Sequence, residues 1–159
     1  MTSMRKTVIA ATCLLALGGG LYATSDWLKG STDEKVRTLA EIQPGLGTVM
    51  IEYGHRYTTV YYAAKGGNWG LAAYQLKEMR EVQEVGETTR PARAQPLKAF
   101  EKGHLDPLDA AIKSKDWTKF EGAFRAGVEA CNACHVSVGF PYIKYQLPRT
   151  FQSDLLLKP

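Results

Sequence analysis

The stretch from Asp116 to Pro141, DWTKFEGAFRAGVEACNACHVSVGFP, decides how this chain folds. It opens on an aspartate, whose short carboxylate can accept from the unpaired N–H groups of a first helical turn. Phe120, Ala123, Phe124, Gly127 and Cys131 then recur at three- and four-residue spacing, which places them on or near one helical face. Gly139 and Pro141 stop the pattern. The stretch predicts a helix with one apolar stripe that ends in Cys131-Asn132-Ala133-Cys134-His135.

A helix with one apolar stripe needs neighbours to cover it. Upstream, Leu97, Phe100, Leu105, Leu108 and Ile112 mark another apolar helix, interrupted at Gly103 and Pro107. Proline suits a first helical turn, so a break with a restart capped by Asp106 is expected there. Asn68 is placed to cap a helix from Trp69 to about Val85, burying Ala72, Leu76, Met79 and Val82 with Lys77, Glu78, Arg80 and Glu81 outside. Gly86 to Gln95, rich in Thr, Arg and Pro, reads as a loop. Between Pro44-Gly45 and Gly66-Gly67 a proline-free run repeats Leu46, Met50, Tyr53, Tyr57, Val60 and Ala64 at helical spacing. Internal repeats, a βαβ rhythm and a Gly-rich phosphate loop are all missing from the sequence. The expected fold is all-α, a four-helix bundle over residues 44–159. After the last helix, Ile143, Tyr145 and Leu147 alternate, as in a tail lying extended across the bundle.

The N-terminus reads as an address. Met1 to Lys6 carries two positive charges, and Thr7 to Ala23, TVIAATCLLALGGGLYA, carries none. Residues 1–23 are therefore expected to be an export signal cut after Ala23, or an uncleaved membrane anchor with Trp27 at the interface. Cys13 falls inside this run, and the Thr12 before it is a poor residue for a lipoprotein cut. Residues 24–43 are a polar lead-in. In either case the domain works outside the cytoplasmic membrane, in the periplasm. With 45% apolar and 23% charged residues, the composition is that of an ordinary globular domain. Arg5 and Lys6 supply two units of the net charge of +4, so what remains gives no basic face for nucleic acid.

The chemistry lies in Cys131-Asn132-Ala133-Cys134-His135. C-x-x-C-H puts two thiols on adjacent turns with an imidazole beside the second, the pattern of c-type haem attachment. Each thiol can form a thioether to a haem vinyl group, and His135 can then reach the iron as a neutral imidazole. Its other ring nitrogen needs an acceptor, a backbone carbonyl being the natural one, to hold the tautomer. A redox dithiol, a structural zinc site and a simple disulfide are the competing readings. The first wants a βαβ setting, and the second wants ligands that the isolated His55 and His104 do not offer. Export favours haem c. For the sixth position of the iron, Met50 lies on the buried stripe of the first bundle helix; the plainer reading makes it core filler. Met79 is a weaker candidate. His55 falls about 140° around the helix from Met50, off its face.

Two stretches carry a resemblance. Pro44-Gly45-Leu46-Gly47-x-x-Met50 with Asn68-Trp69-x-Leu71-Ala72-x-Tyr74, and the haem motif with Gly139-Phe140-Pro141-Tyr142-Ile143, are similar to a group of exported bundle proteins. A helical bundle with this motif at the end of its C-terminal helix resembles the class II c-type cytochromes, the cytochrome c′ group and its low-spin relatives. The likeness runs from about residue 42 to residue 148. It implies Cys131 and Cys134 as thioethers, His135 as the proximal ligand and Met50 as the distal one. It also implies redox partner proteins, and homodimers are common in the class. Gly139 stands where cytochrome c′ often has a basic residue, so the resemblance by itself does not imply that group's gas binding. The resulting expectation is a monohaem electron carrier, not an enzyme. The alternatives are a five-coordinate haem protein for gases such as nitric oxide, a peroxidase using His55, or a fixed subunit of a larger complex.

Overall fold

A computed structural model describes residues 30–159. The expected export signal or anchor lies outside the described residues. Among those described, no helix is long and apolar enough to cross a membrane. Among the described residues the regular structure is all helical, with α1 at Thr32–Glu41, α2 at Leu46–Lys65, α3 at Trp69–Thr89, α4 at Ala94–Phe100, α5 at Asp106–Ser114 and α6 at Trp117–Ser137. The described residues fall into two units, 30–42 and Gln43–Pro159. In the first, Ser31 and Glu34 form a capping box that starts α1, and none of its residues is buried.

In the second unit α3 packs along α2, and α6 packs against α2, α4 and α5. The caps follow from the sequence. Gly67, at φ +83°, takes the left-handed backbone that turns α2 into α3. Asn68 Oδ1 accepts from the Leu71 N–H at 3.0 Å, and Asp116 Oδ1 from the Lys119 N–H at 3.1 Å. Tyr57, Val60, Leu76, Met79, Leu105, Leu108, Ile112, Phe120 and Phe124 are shut off from water. Each contributes about 1.5–3 kcal/mol by leaving it. Tyr57 stacks on Phe124 at 4.3 Å between centroids. Met79 lies wholly in this core, which removes it as a ligand candidate.

Two boundaries differ from expectation. Gly86 does not end α3, which runs on to Thr89. A Cβ there would come within 3.0 Å of Leu46 and 3.2 Å of Val49, so this glycine serves the close approach of α2 and α3. Nor does Asp106 cap a restart. Glu101–Leu105 is a π-helical turn joining α4 to α5, closed by the Asp106 N–H donating to the Glu101 carbonyl. Pro107 has no N–H to give to Gly103, and its ring would crowd that carbonyl in a regular helix. The wider turn absorbs both problems without interrupting the rod. From α3, Arg80 pairs with both ends of the turn, with Glu101 and, at 2.9 Å, with Asp106.

After α6 the chain from Tyr142 to Pro159 has no regular structure. Several contacts tie it to α2: Tyr62 donates to the Pro148 carbonyl, Phe151 stacks on Tyr62, and Gly66 lies close under the Leu157 carbonyl. The tightest contact of the core is Gly127, where a Cβ would meet the Tyr57 hydroxyl that donates to the Phe124 carbonyl at 2.9 Å. Gly127→Ala is expected to displace that phenol and lower stability by about 1–3 kcal/mol, read as a fall in the urea midpoint at unchanged slope.

Candidate functional site

Beside this core, α2, α4 and α6 enclose a cavity of about 490 Å³. That is a size suited to a small-molecule or cofactor site. One face of α2 supplies Leu46, Met50, Ile51, Tyr53, Gly54 and Tyr57. Their spacing of three and four residues is what one face of a helix presents. Arg93, Pro96, Leu97 and Phe100 come from α4 and the turn before it. The end of α6 gives Cys131, Cys134, His135 and Val138, and the chain beyond gives Phe140, Ile143, Lys144 and Tyr145. Met50 and the Cys131–His135 motif, far apart in sequence, thus line one cavity.

The end of α6 sets the histidine. Gly139 has φ +92°, a left-handed conformation that favours glycine. The Phe140 N–H donates to the His135 carbonyl at 2.8 Å, and the Gly139 N–H donates to Val136 at 3.1 Å. This Schellman pair reverses the chain. The reversal brings the Ile143 carbonyl to 2.9 Å from His135 Nδ1. A carbonyl only accepts, so Nδ1 carries a proton, and in the neutral ring the lone pair is the one on Nε2. Gly139 is therefore the residue that turns the chain back.

Cys131 and Cys134 are free and half-buried. Burial, and after it the neighbouring Cys134, pushes the Cys131 thiol up to about 12. Among the described residues, no three His, Cys, Asp or Glu side chains gather as a metal-binding group, so the zinc reading gains no further ligands. His55 is exposed, with its ring 5.7 Å from Phe151, and is not among the lining residues. His104 lies against Phe100 at 5.2 Å and is likewise outside the cavity.

The donor set fits a covalently held haem. Two thiols, an imidazole with a free Nε2 and a soft thioether share an apolar cavity. Arg93 and Lys144 add cations suited to carboxylates. The apolar side chains Ile51, Phe140 and Ile143 line it while exposing 78%, 40% and 47% of their surface, as a partly covered macrocycle requires. Arg93 carried no recognisable signal in the sequence. Tyr145 did, through the alternation Ile143, Tyr145, Leu147. No family model, curated protein or solved structure matches this chain.

A thiol held up to about 12 is almost all protonated at pH 8. The thiolate fraction falls about a thousandfold against a free cysteine, and the greater nucleophilicity of a more basic thiolate returns part of it. Cys131 of the reduced, haem-free chain is therefore expected to be alkylated roughly fiftyfold more slowly when folded than when unfolded. The rate should rise tenfold per pH unit up to the thiol's pKa. Mass-spectrometric mapping of iodoacetamide adducts checks both.

Proposed function

We propose that the chain is an exported monohaem c-type cytochrome, a four-helix bundle that passes single electrons between periplasmic or membrane partners. Haem c is held through Cys131 and Cys134, His135 is the proximal ligand and Met50 the distal one. The observation that carries the reading is the single cavity shared by Met50 and the C-x-x-C-H motif, with His135 Nδ1 committed to the Ile143 carbonyl.

The bound group supplies a one-electron couple at its iron. Everything else is the work of the chain. Cys131 and Cys134 would hold the group to the end of α6 by two thioether bonds and keep it from leaving. His135 offers Nε2, and its Nδ1–H bond stops the ring from rotating away and raises its basicity. The Met50 sulfur favours the reduced state and raises the potential. Leu46, Leu97 and Phe100 exclude water. Ile51, Phe140 and Ile143 leave an apolar edge where a redox partner can approach. The N-terminal segment either releases the domain into the periplasm or tethers it to the membrane, and a homodimer fits the same reading.

The purified wild-type protein is expected to be coloured, to keep its haem through acid–acetone extraction and to show a low-spin ferric spectrum. Colourless protein would overturn the proposal. A high-spin spectrum that shifts with carbon monoxide or nitric oxide would replace the carrier with a gas-binding protein. Cys131→Ala combined with Cys134→Ala should leave no haem on the denatured chain. Met50→Leu should convert the low-spin spectrum to high-spin; an unchanged spectrum would place the distal ligand elsewhere.

A further inference from the structure

Asn132 sits between the two cysteines, is half-buried and is not among the residues that line the cavity. Thioether attachment asks nothing of this position, so its side chain has another task. Its amide makes two hydrogen bonds to one residue of the returning chain. Asn132 Nδ2 donates to the Tyr145 carbonyl at 3.0 Å, and the Tyr145 N–H donates to Asn132 Oδ1 at 2.8 Å. Two residues before Tyr145 is Ile143, whose carbonyl receives His135 Nδ1–H.

We propose that Asn132 is a positioning residue for His135, clasping Tyr145 so that the Ile143 carbonyl stays on the imidazole. The proposal rests on the haem reading above. Three anchors hold the chain between Gly139 and Tyr145. The first is the Schellman turn at Gly139. The second is Tyr145, whose ring lies 5.6 Å from Tyr57 and whose hydroxyl is 2.9 Å from Thr58 Oγ1. Because the Thr58 hydroxyl donates to the Gly54 carbonyl, the phenol is the donor of that pair. The third is the Asn132 clasp, the only one of the three made by a side chain of the Cys131–His135 motif. Ile143 is 47% exposed, so water can compete for Nδ1 once the clasp is gone. The clasp and the phenol together join α6, which carries His135, to α2, which carries Met50.

A carbonyl held on Nδ1–H makes the ring a stronger electron donor and favours ferric iron. Loosening it should favour ferrous iron. Asn132→Ala, and Asn132→Leu as a variant of nearly unchanged volume, are made in the full-length, haem-loaded protein and compared with wild type. At fixed ambient potential the ferrous-to-ferric ratio is expected to rise about tenfold, about 59 mV for one electron, and the ferric electron paramagnetic resonance g values to shift. Loaded variants that are less stable but keep the wild-type potential and g values would make Asn132 a structural latch only and overturn the proposal. If neither variant loads haem, ¹⁵N NMR of the haem-free variants reads the His135 ring. A tautomer mixture supports the clasp, and a ring still fully protonated at Nδ1 overturns it. Wild-type protein without covalent haem would instead remove the underlying reading.

Discussion

A histidine that is to offer a lone pair in one direction must dispose of a proton in the other, and that requirement organises the C-terminal third of the chain. The acceptor of the His135 Nδ1–H is the Ile143 carbonyl, eight residues downstream of the ring itself. To bring that carbonyl back, the chain has to reverse within a few residues, and the reversal needs a left-handed backbone. Gly139 provides it at φ +92°. A Cβ at Gly139 would meet nothing within 4 Å, so conformation alone calls for glycine there. Once turned, the chain is pinned by its own backbone to Asn132 and by a phenol to Thr58. The post-helical segment is thus part of the site, and α2 is coupled to α6 through it.

The same helices divide their length between two tasks. On one side α2 and α6 meet over aromatic rings, Tyr57 on Phe124 at 4.3 Å and Tyr61 on Phe124 at 4.9 Å, leaving no space. On the other they part around a cavity of about 490 Å³. Tyr57 stands at the boundary, packed into the core and lining the cavity. Apolar walls of this extent are stabilised by whatever removes them from water, and a group bound there adds its binding free energy to the stability of the fold. A covalent tether makes that contribution permanent, because the group cannot be lost by dilution.

Much of this was legible from residue type and spacing. Asn68 and Asp116 announce their helices because a short polar side chain before an apolar repeat has few other uses, and Gly66-Gly67 mark the turn between α2 and α3. The end of α3 was hidden because glycine has two meanings. At Gly86 it answers to Leu46 and Val49 on another helix, a contact that no local pattern records. The π-helical turn was hidden for a related reason. Proline after aspartate reads as a helix start, yet Arg80, reaching from α3 to Glu101 and Asp106, holds the rod continuous across it. At the site, Met50 and the C-x-x-C-H motif were readable and share the cavity. Arg93 and the Asn132–Tyr145 clasp depend on tertiary approach, so their sequence gave no reason to single them out.

If the cavity holds haem as proposed, the polar groups of its wall bear on the chemistry that haem could do. An enzyme that splits a bound peroxide wants a free acid or base over the iron. Here the phenols in the wall are already spent. Tyr53 donates to Gln83 Oε1 at 3.2 Å, Tyr57 to the Phe124 carbonyl at 2.9 Å and Tyr145 to Thr58 at 2.9 Å. Burial pushes all three phenols upward, so each keeps its proton and its bond. His135 has committed Nδ1, and His55 turns to Phe151 outside the cavity. What is left to act from the α2 side is a thioether among aliphatic and aromatic carbon. Such a wall changes little when a charge arrives or leaves. That suits the proposed carrier of single electrons.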